Sequence, residues 1–149
     1  MNLVRHPVGL QIRTTPINQK KSEIMAKSKA EDLRWLDEVL DADYTAAESY
    51  LSILYHAERV AKILARLKEA SVVEFKAVDL FRASRLPALD ASDPNVKKER
   101  KKILKGTCLS PLLLLRDEQN GKVEIADGYH RLCAINDYDP ETAIRCKII

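Results

Sequence analysis

The pattern of apolar and polar positions divides the chain into a helical first half and a second half of mixed strands and helices. Ahead of both lies a segment, residues 1–28, that has no clear period and contains two prolines and a Lys20-Lys21 pair. We expect most of this segment to be a disordered extension. The stretch from Met25 to Lys29 resembles an ordinary protein start, which leaves open whether residues 1–24 belong to the natural protein.

Residues 29–70 are predicted to form a helical hairpin that contains one long helix. Leucines three and four residues apart indicate a short amphipathic helix at Glu31–Leu40, which the stretch Asp41–Asp43 is expected to end. The next segment, Tyr44–Glu69, would form a helix about 39 Å long at about 1.5 Å per residue. Its apolar seam has the alternating steps of four and three residues that are typical of coiled coils. The seam comprises Ala46, Tyr50, Ile53, Ala57, Val60, Leu64 and Leu67.

The length of this predicted helix has a consequence for assembly. Exposing a long apolar seam to water is costly, since each buried aliphatic side chain contributes roughly 1.5–3 kcal/mol. The Glu31–Leu40 helix has only about three turns and is too short to cover the seam. The pattern therefore favours self-association through residues 44–69, most simply as a twofold homodimer.

The second half, residues 71–149, has the pattern of a small mixed sheet with flanking helices. The run Leu112–Leu115 is continuously apolar, which is typical of a strand buried on both faces. Asn120-Gly121 marks the tip of a hairpin, and Ser92 or Asp93 before Pro94 has the residue types that begin a helix. The predicted elements are a strand at 72–76, a turn of helix at 76–81, a basic helix at 95–105, strands at 112–115 and 122–126, a helix at 129–138 and a strand at 144–149. The chain is therefore predicted to be an α+β protein, with N-terminal helices followed by this mixed sheet.

Composition sets limits on this picture. A chain of 149 residues with 46% hydrophobic and 32% charged residues fits one globular domain with an appendage. The three scattered cysteines lack metal-ligand spacing, and no apolar run reaches the length that spans a membrane. We therefore expect reduced thiols in a bacterial-type cytoplasm and no membrane partner.

The charge of the chain is concentrated in the predicted basic helix. The formal net charge of +3 is mild, but residues 95–106 carry six cations and one anion, Glu99. The cations are Lys97, Lys98, Arg100, Lys101, Lys102 and Lys105. Such a run is usually a solvated helix face, and the alternative is a surface for phosphate or nucleic acid. The scarcity of aromatic residues near it gives little support to base stacking.

The chemically most specific stretch is Asp127-Gly128-Tyr129-His130-Arg131, where a predicted strand turns into a helix. Backbone N–H groups at a helix start attract anions, and an arginine fork binds phosphate in a bidentate way. Cations are disfavoured in the first turn of a helix, so His130 and Arg131 suggest a bound anion there. The alternative is that Asp127 only caps the helix and that His130 and Arg131 are surface residues.

Residues from about 72 to 149 resemble the ParB/sulfiredoxin superfamily. The resemblance is carried by Leu86-Pro87, Asp93-Pro94, Ser110-Pro111 and the run from Asp127 to Arg131 followed by Ala134. In sulfiredoxins the same turn has the sequence Gly-Gly-Cys-His-Arg and binds the phosphates of a nucleotide. ParB proteins have a Gly-Glu-Arg-Arg version, and free-serine kinases of this fold have Asp-Gly-His-Thr-Arg. The position of the sulfiredoxin catalytic cysteine is Tyr129 here, and a phenol cannot perform the sulfur chemistry of that reductase.

The resemblance implies a nucleotide site at this turn. The backbone N–H groups of Gly128, Tyr129 and His130 would hold a phosphate, and the Arg131 side chain would bind it. Asp127 and His130 are the candidate catalytic residues: Asp127 would hold Mg²⁺, carried with ATP, ADP or CTP, and His130 would be a general acid or base. Lysines of the basic helix would neutralise the phosphates from the opposite side, namely Lys97, Lys98 and Lys101.

Two classes of function follow from these expectations. The first is a nucleotide-binding, ParB/sulfiredoxin-like protein that performs phosphoryl transfer or nucleotide hydrolysis. The second is a non-enzymatic module of the ParB-like family that binds nucleic acid or a protein partner. A binding response to nucleotides favours the first class, and a salt-sensitive response to nucleic acid alone favours the second.

Overall fold

A computed structural model describes residues 33–149, so the predicted disordered extension at residues 1–28 lies outside the described residues. The described part contains five helices and four strands. In chain order they are α1 (Asp41–Leu54), α2 (Ala57–Glu69), β1 (Val73–Lys76), α3 (Ala77–Ser84), α4 (Pro94–Leu104), β2 (Leu112–Asp117), β3 (Lys122–Asp127), α5 (Tyr129–Tyr138) and β4 (Ala143–Ile148). In this part of the chain, no helix is long and apolar enough to cross a membrane.

The four strands form one mixed sheet in the order β1-β4-β2-β3. β2 lies parallel to β4, and the other two neighbouring pairs are antiparallel. Helices cover both faces: α1 and α2 pack over Leu113 and Leu115, whereas α3 and α5 pack over Leu112 and Leu114. Both faces of β2 are therefore buried, as its continuous apolar sequence predicts. The predicted α+β class, with N-terminal helices followed by a mixed sheet and flanking helices, is confirmed.

The predicted single helix over residues 44–69 is wrong, because α1 and α2 are separated by Tyr55 and His56, which have extended backbone. The buried side chains give the physical reason. Leu51 in α1 and Val60 in α2 both pack in the core over the sheet, but they are nine residues apart, which is two and a half turns of a continuous helix. An unbroken helix would place them on opposite sides, so the break lets both apolar stripes reach the core.

The break also changes which face of α1 is buried. The core side chains of the two helices are Tyr44, Ala47, Leu51, Val60, Ile63 and Leu67. In the predicted seam, Ala46, Tyr50 and Ile53 are instead exposed. The premise of the predicted dimer, one long helix that its own domain cannot cover, is therefore wrong, and what α1 exposes is a shorter apolar face.

The predicted helix at Glu31–Leu40 is wrong where the structure describes the chain, from residue 33 onward. This segment pairs with Leu109 instead: the Leu36 N–H donates to the Leu109 carbonyl at 2.8 Å, and the Leu109 N–H donates to the Arg34 carbonyl at 2.7 Å. Asp41, expected to end a helix, begins α1, because acidic residues in a first turn interact favourably with the helix dipole.

The second half follows the predicted order of elements. The Asp93 carboxylate caps α4 by accepting the N–H groups of Asn95 at 2.9 Å and Val96 at 3.0 Å, and Pro94 occupies the first turn. Helix α5 has the predicted bounds, Tyr129–Tyr138. Helix α4 packs against α5, so the basic helix lies next to the helix that follows the predicted phosphate-binding turn.

Candidate functional site

The turn between β3 and α5 has a backbone that requires glycine. Gly128 is left-handed, with φ 104° and ψ 12°. A Cβ atom at this position would lie 2.5 Å from Cγ of Leu112, which is fully buried in the sheet. The predicted sequence of strand, glycine turn and helix is therefore confirmed, and the glycine also permits the close packing of the turn on β2.

The N-terminus of α5 is open. The first hydrogen bond of the helix runs from the Leu132 N–H to the Gly128 carbonyl at 2.9 Å, so the preceding N–H groups have no partner within the helix. They belong to Tyr129, His130 and Arg131. No side chain in residues 33–149 caps this end. The alternative in which Asp127 serves as the helix cap is therefore wrong, because Gly128 occupies the cap position.

A cavity of about 370 Å³ borders this open helix end. It is lined by Ala46, Tyr50, Leu86, Ile125, Ala126, Asp127, Gly128, Tyr129 and His130. The Tyr50 hydroxyl donates a hydrogen bond to Glu124; burial and this carboxylate raise the pKa of Tyr50 to about 12, so the phenol keeps its proton. The rings of Tyr129 and His130 lie side by side, 5.3 Å between centroids. Four of the predicted site residues, Asp127 to His130, are thus brought together on one cavity.

Arg131, by contrast, points into the protein. Its guanidinium donates to the Ser110 carbonyl at 2.7 Å and lies 3.5 Å from the Asp43 carboxylate and 3.8 Å from that of Glu99. The residue is 9% exposed and does not line the cavity. Its backbone N–H belongs to the open helix end, whereas the predicted bidentate contact of its side chain with phosphate stays a prediction.

Asp127 belongs to the same charged cluster as Arg131. Burial raises the pKa of the Asp127 carboxyl to about 6; the nearby Asp43 and Glu99 carboxylates also raise it, and the Arg131 guanidinium opposes them. Among the described residues, Oδ2 of Asp127 and Oε2 of Glu99 are enclosed without a hydrogen-bond partner. The cluster therefore holds three carboxylates against one guanidinium, and the Lys102 ammonium pairs with Glu99 at 2.8 Å, which gives a formal balance of −1 when all are ionised.

Sequence reasoning found two members of this cluster, Asp127 and Arg131, and missed Asp43 and Glu99. Asp43 was expected to break a helix and instead lies in the first turn of α1. Glu99 did carry a signal, since it is the single anion among the six cations of the basic segment. A lone acid on a basic helix is the residue most expected to face a buried cation.

The raised pKa of Asp127 predicts a stability that depends on pH. Below about pH 4 the carboxyl is protonated in both the folded and the unfolded chain. Between about pH 4 and 6 the unfolded chain loses its proton first, so the free energy of unfolding falls as the pH rises. Above about pH 6 the stability that the protonated carboxyl contributed is lost. Asp127→Asn should therefore raise the free energy of unfolding by roughly 2 kcal/mol at pH 8 and change it little at pH 4.

Urea denaturation at the two pH values, with EDTA present, measures this difference. Asp117→Asn is the matched control, because a hydrogen bond from the Asn120 side chain lowers the pKa of Asp117. That control variant should gain no stability at pH 8. Equal stabilities of Asp127→Asn and the unmodified protein at both pH values would show that Asp127 ionises at its ordinary pKa.

At the position of the sulfiredoxin cysteine, the cavity presents a phenol, and the cysteine nearest to it in sequence is buried. The Tyr129 hydroxyl donates to the Pro87 carbonyl, and burial raises the pKa of this phenol. Cys133, one turn further along α5, is buried, and burial raises the pKa of its thiol as well. Among the described residues, no cysteine lines the cavity.

The lysines that were expected to face the phosphates are not brought to the cavity. Lys97, Lys98 and Lys101 are exposed on α4 and do not line it. The inner face of α4 instead meets α5 through Val96 and through an ion pair between Arg100 and Asp137.

Comparison of the chain with protein-family models, with curated proteins and with solved structures found no match in any of the three. The resemblance to the ParB/sulfiredoxin superfamily is therefore a prediction carried by the residues of the turn and its neighbours.

Proposed function

We propose that the cavity at the Gly128 turn binds a nucleotide through its phosphates, as the resemblance to the ParB/sulfiredoxin superfamily implies. The observation that carries this proposal is the open N-terminus of α5 on a cavity that also contains Asp127. Unpaired N–H groups and the helix dipole favour an anion at this place. The free backbone N–H groups of Tyr129, His130 and Arg131 would hold the phosphate, and the turn at Gly128 would position them.

The charge of the neighbouring cluster favours a nucleotide that carries Mg²⁺. With a formal balance of −1 around Asp127, Lys102 included, a bare polyphosphate would be repelled, and a divalent cation would offset the repulsion. In the described part of the chain, no group of three metal-binding side chains is present. Mg²⁺, however, is usually held by one or two carboxylates together with phosphates and water, and Asp127, with its unpartnered oxygen, fits that role. The ion would supply charge neutralisation to the phosphates.

The chemistry that the site supports is phosphoryl transfer or nucleotide hydrolysis. His130 lies on the cavity, where its imidazole could donate or accept a proton as a general acid or base. Asp127, with a pKa of about 6, is ionised at neutral pH and available to accept a proton or bind the cation. Tyr50, which keeps its proton, presents a phenol on the same cavity.

Isothermal calorimetry with ATP, ADP and CTP, each with and without Mg²⁺, tests the proposal. The unmodified protein should bind at least one of them, and at least tenfold more tightly with Mg²⁺. Asp127→Asn should remove this dependence on Mg²⁺, because it removes the carboxylate that would bind the ion, and with it one negative charge of the cluster. Asp37→Asn, which changes a fully exposed carboxylate side chain, is the control and should behave like the unmodified protein. Absence of binding to all three nucleotides would overturn the proposal.

Turnover separates the enzyme from a binding module. If the unmodified protein releases phosphate from a nucleotide, it belongs to the enzymatic class. If His130→Gln then binds the nucleotide but no longer releases phosphate, His130 is the general acid or base. Binding without phosphate release would favour the non-enzymatic class of the ParB-like family.

We further propose that the exposed apolar face of α1 mediates a homodimer. The specific observation is that Ile53 is 82% exposed and that Leu54 and Tyr50, close to it on α1, are exposed as well. Apolar side chains grouped on one surface favour a partner with the same property.

Ile53→Glu should convert such a dimer to a monomer. The fold should keep its stability, because the Ile53 side chain is exposed and does not pack in the core. Light scattering at tens of micromolar measures the change. Leu64→Glu is unsuitable as a second substitution, since Leu64 packs against the core cluster. A monomeric unmodified protein at this concentration would remove the self-association proposal.

A further inference from the structure

A second concave surface lies at the end of the sheet, away from the Gly128 turn. Two adjoining cavities, of about 580 and 340 Å³, share Arg66, Arg116 and Ile149 in their walls. Their charged lining residues are Arg59, Lys62, Arg66, Arg116 and Glu118. We call this surface the basic cleft. Four cationic side chains, against the carboxylate of the Glu118 side chain and the backbone carboxylate of Ile149, make it the most basic concavity among the cavities described here.

The arginines of the basic cleft lack the partners that other arginines have. In the described part of the chain, no carboxylate lies within salt-bridge distance of Arg59, Arg66 or Arg116, whereas Lys62 pairs with Glu58 at 3.0 Å. Four of the six other described arginines are paired with carboxylates, namely Arg82, Arg100, Arg131 and Arg145. Arg85 instead donates to the carbonyls of Asn120 and Gly121, and Arg34 is exposed. Unpaired like charges around a concavity raise the local positive potential and attract anions.

The spacing of the cations fits a row of phosphates better than a single one. Arg59, Lys62 and Arg66 are three and four residues apart, so they lie along one face of α2. At about 1.5 Å per residue, Arg59 and Arg66 are separated by about 10 Å along the helix axis. A single phosphate is small compared with the length of this row, whereas a chain of phosphodiesters presents a charge at every nucleotide and could pair with each cation in turn.

One aromatic side chain lines the basic cleft and another lines a cavity beside it. The Arg59 guanidinium is stacked over the Tyr55 ring, 4.3 Å from its centroid, which holds the arginine in place. Phe75 is 39% exposed and lines a third cavity, of about 390 Å³, which shares Arg116 with the basic cleft. A basic groove combined with accessible aromatic rings is the usual construction of surfaces that bind single-stranded nucleic acid.

We propose that the basic cleft binds the phosphodiester backbone of a single-stranded nucleic acid. Arg59, Arg66 and Arg116 contact successive phosphates, and Phe75 offers a face on which a base stacks. The proposal does not depend on the nucleotide site, because none of these residues lines the cavity at the Gly128 turn. It also differs from a role for the basic helix α4, because no residue of α4 lines either cavity of the basic cleft.

The test measures fluorescence anisotropy of a labelled 20-nucleotide oligo(dT) with the full chain, from 50 to 300 mM salt. Arg66→Gln combined with Arg116→Gln should weaken binding at least tenfold at 50 mM salt. The logarithmic salt slope should decrease in magnitude by about 1.4, since each phosphate contact on a single strand contributes about 0.7. Both side chains are free of ion pairs within residues 33–149, so circular dichroism should show an unchanged fold.

Arg34→Gln combined with Lys105→Gln removes the same charge from two exposed positions outside the basic cleft. This control should change the affinity less than threefold. Equal weakening by both double variants would show that binding follows net charge alone and would overturn the proposal. Absence of binding, or tighter binding of a 20-base-pair duplex, would overturn it as well. Sodium tripolyphosphate serves as a competitor at the same total concentration of phosphate groups. If it displaces the oligonucleotide, the basic cleft binds small anions and the proposal is overturned.

Discussion

Replacing Arg131 with methionine is expected to lower the free energy of unfolding by about 3–5 kcal/mol at neutral pH. Methionine keeps much of the side-chain volume, so the loss measures the charge and its hydrogen bond rather than a cavity. Removal of the guanidinium leaves the carboxylates of Asp43, Glu99 and Asp127 without their shared cation. It also leaves the buried Ser110 carbonyl without its donor, and an unsatisfied buried group costs about 1–3 kcal/mol.

Denaturation in urea measures this loss, and two further variants identify its origin. Arg82→Met removes an arginine whose side chain is 80% exposed and whose partner, Asp79, is three residues away; such surface pairs contribute at most about 1 kcal/mol. Adding Asp127→Asn to Arg131→Met should recover part of the loss, because one of the uncompensated charges is then removed. A loss below about 1 kcal/mol for Arg131→Met would mean that the cluster rearranges without cost.

The sequence predicts an Arg131 side chain that binds phosphate, and removing such a side chain from a surface site would abolish binding and leave the fold intact. A side chain that joins α1, α4 and the Ser110 segment to α5 cannot be removed without consequences for the fold. Loss of nucleotide binding in an Arg131 variant would therefore not identify a phosphate ligand. Variants of His130 and Asp127, which line the cavity, test the site more directly.

The parts of the fold that were predictable from the sequence are those that local chemistry decides. Asp93 and Pro94 mark the start of α4 because a carboxylate cap and a residue without an N–H satisfy the first turn wherever it occurs. The run Leu112–Leu115 predicts a strand buried on both faces because a polar residue is absent from either side. Gly128 predicts a sharp turn because other residues avoid its φ of 104°.

The parts that were not predictable depend on contacts between distant segments. No proline or glycine marks the break at Tyr55–His56; it follows from the demand that Leu51 and Val60 both face the sheet. Residues 33–40 have helical spacing, but pairing with Leu109 overrides it. The direction of the Arg131 side chain follows from Asp43 and Glu99, which are distant in sequence and reach it only when α1 and α4 are packed.

Gly128→Ala is expected to lower the free energy of unfolding by about 2–5 kcal/mol. A residue with a Cβ atom in the left-handed region costs roughly 1–2 kcal/mol. The new Cβ would also lie 2.5 Å from Cγ of Leu112, so a fully buried leucine would have to move, and such overpacking costs typically 1–3 kcal/mol. Both costs act at the point where β3 enters α5, so the open helix end on the cavity would be displaced together with the turn.

Gly106→Ala separates the two costs, because Gly106 also has a positive φ, 69°, but no atom lies within 4 Å of its added Cβ. This control should lose only the roughly 1–2 kcal/mol of the backbone conformation. Leu112→Val combined with Gly128→Ala should cost less than the sum of the two single changes, because the smaller side chain gives room to the alanine. Equal losses for Gly106→Ala and Gly128→Ala would show that Leu112 moves aside freely. If Gly128→Ala loses more free energy of unfolding than Gly106→Ala, and Leu112→Val reduces the loss, glycine is needed at position 128 for close packing on β2 as well as for its backbone conformation. The position of the anion-attracting helix end would then depend on that packing.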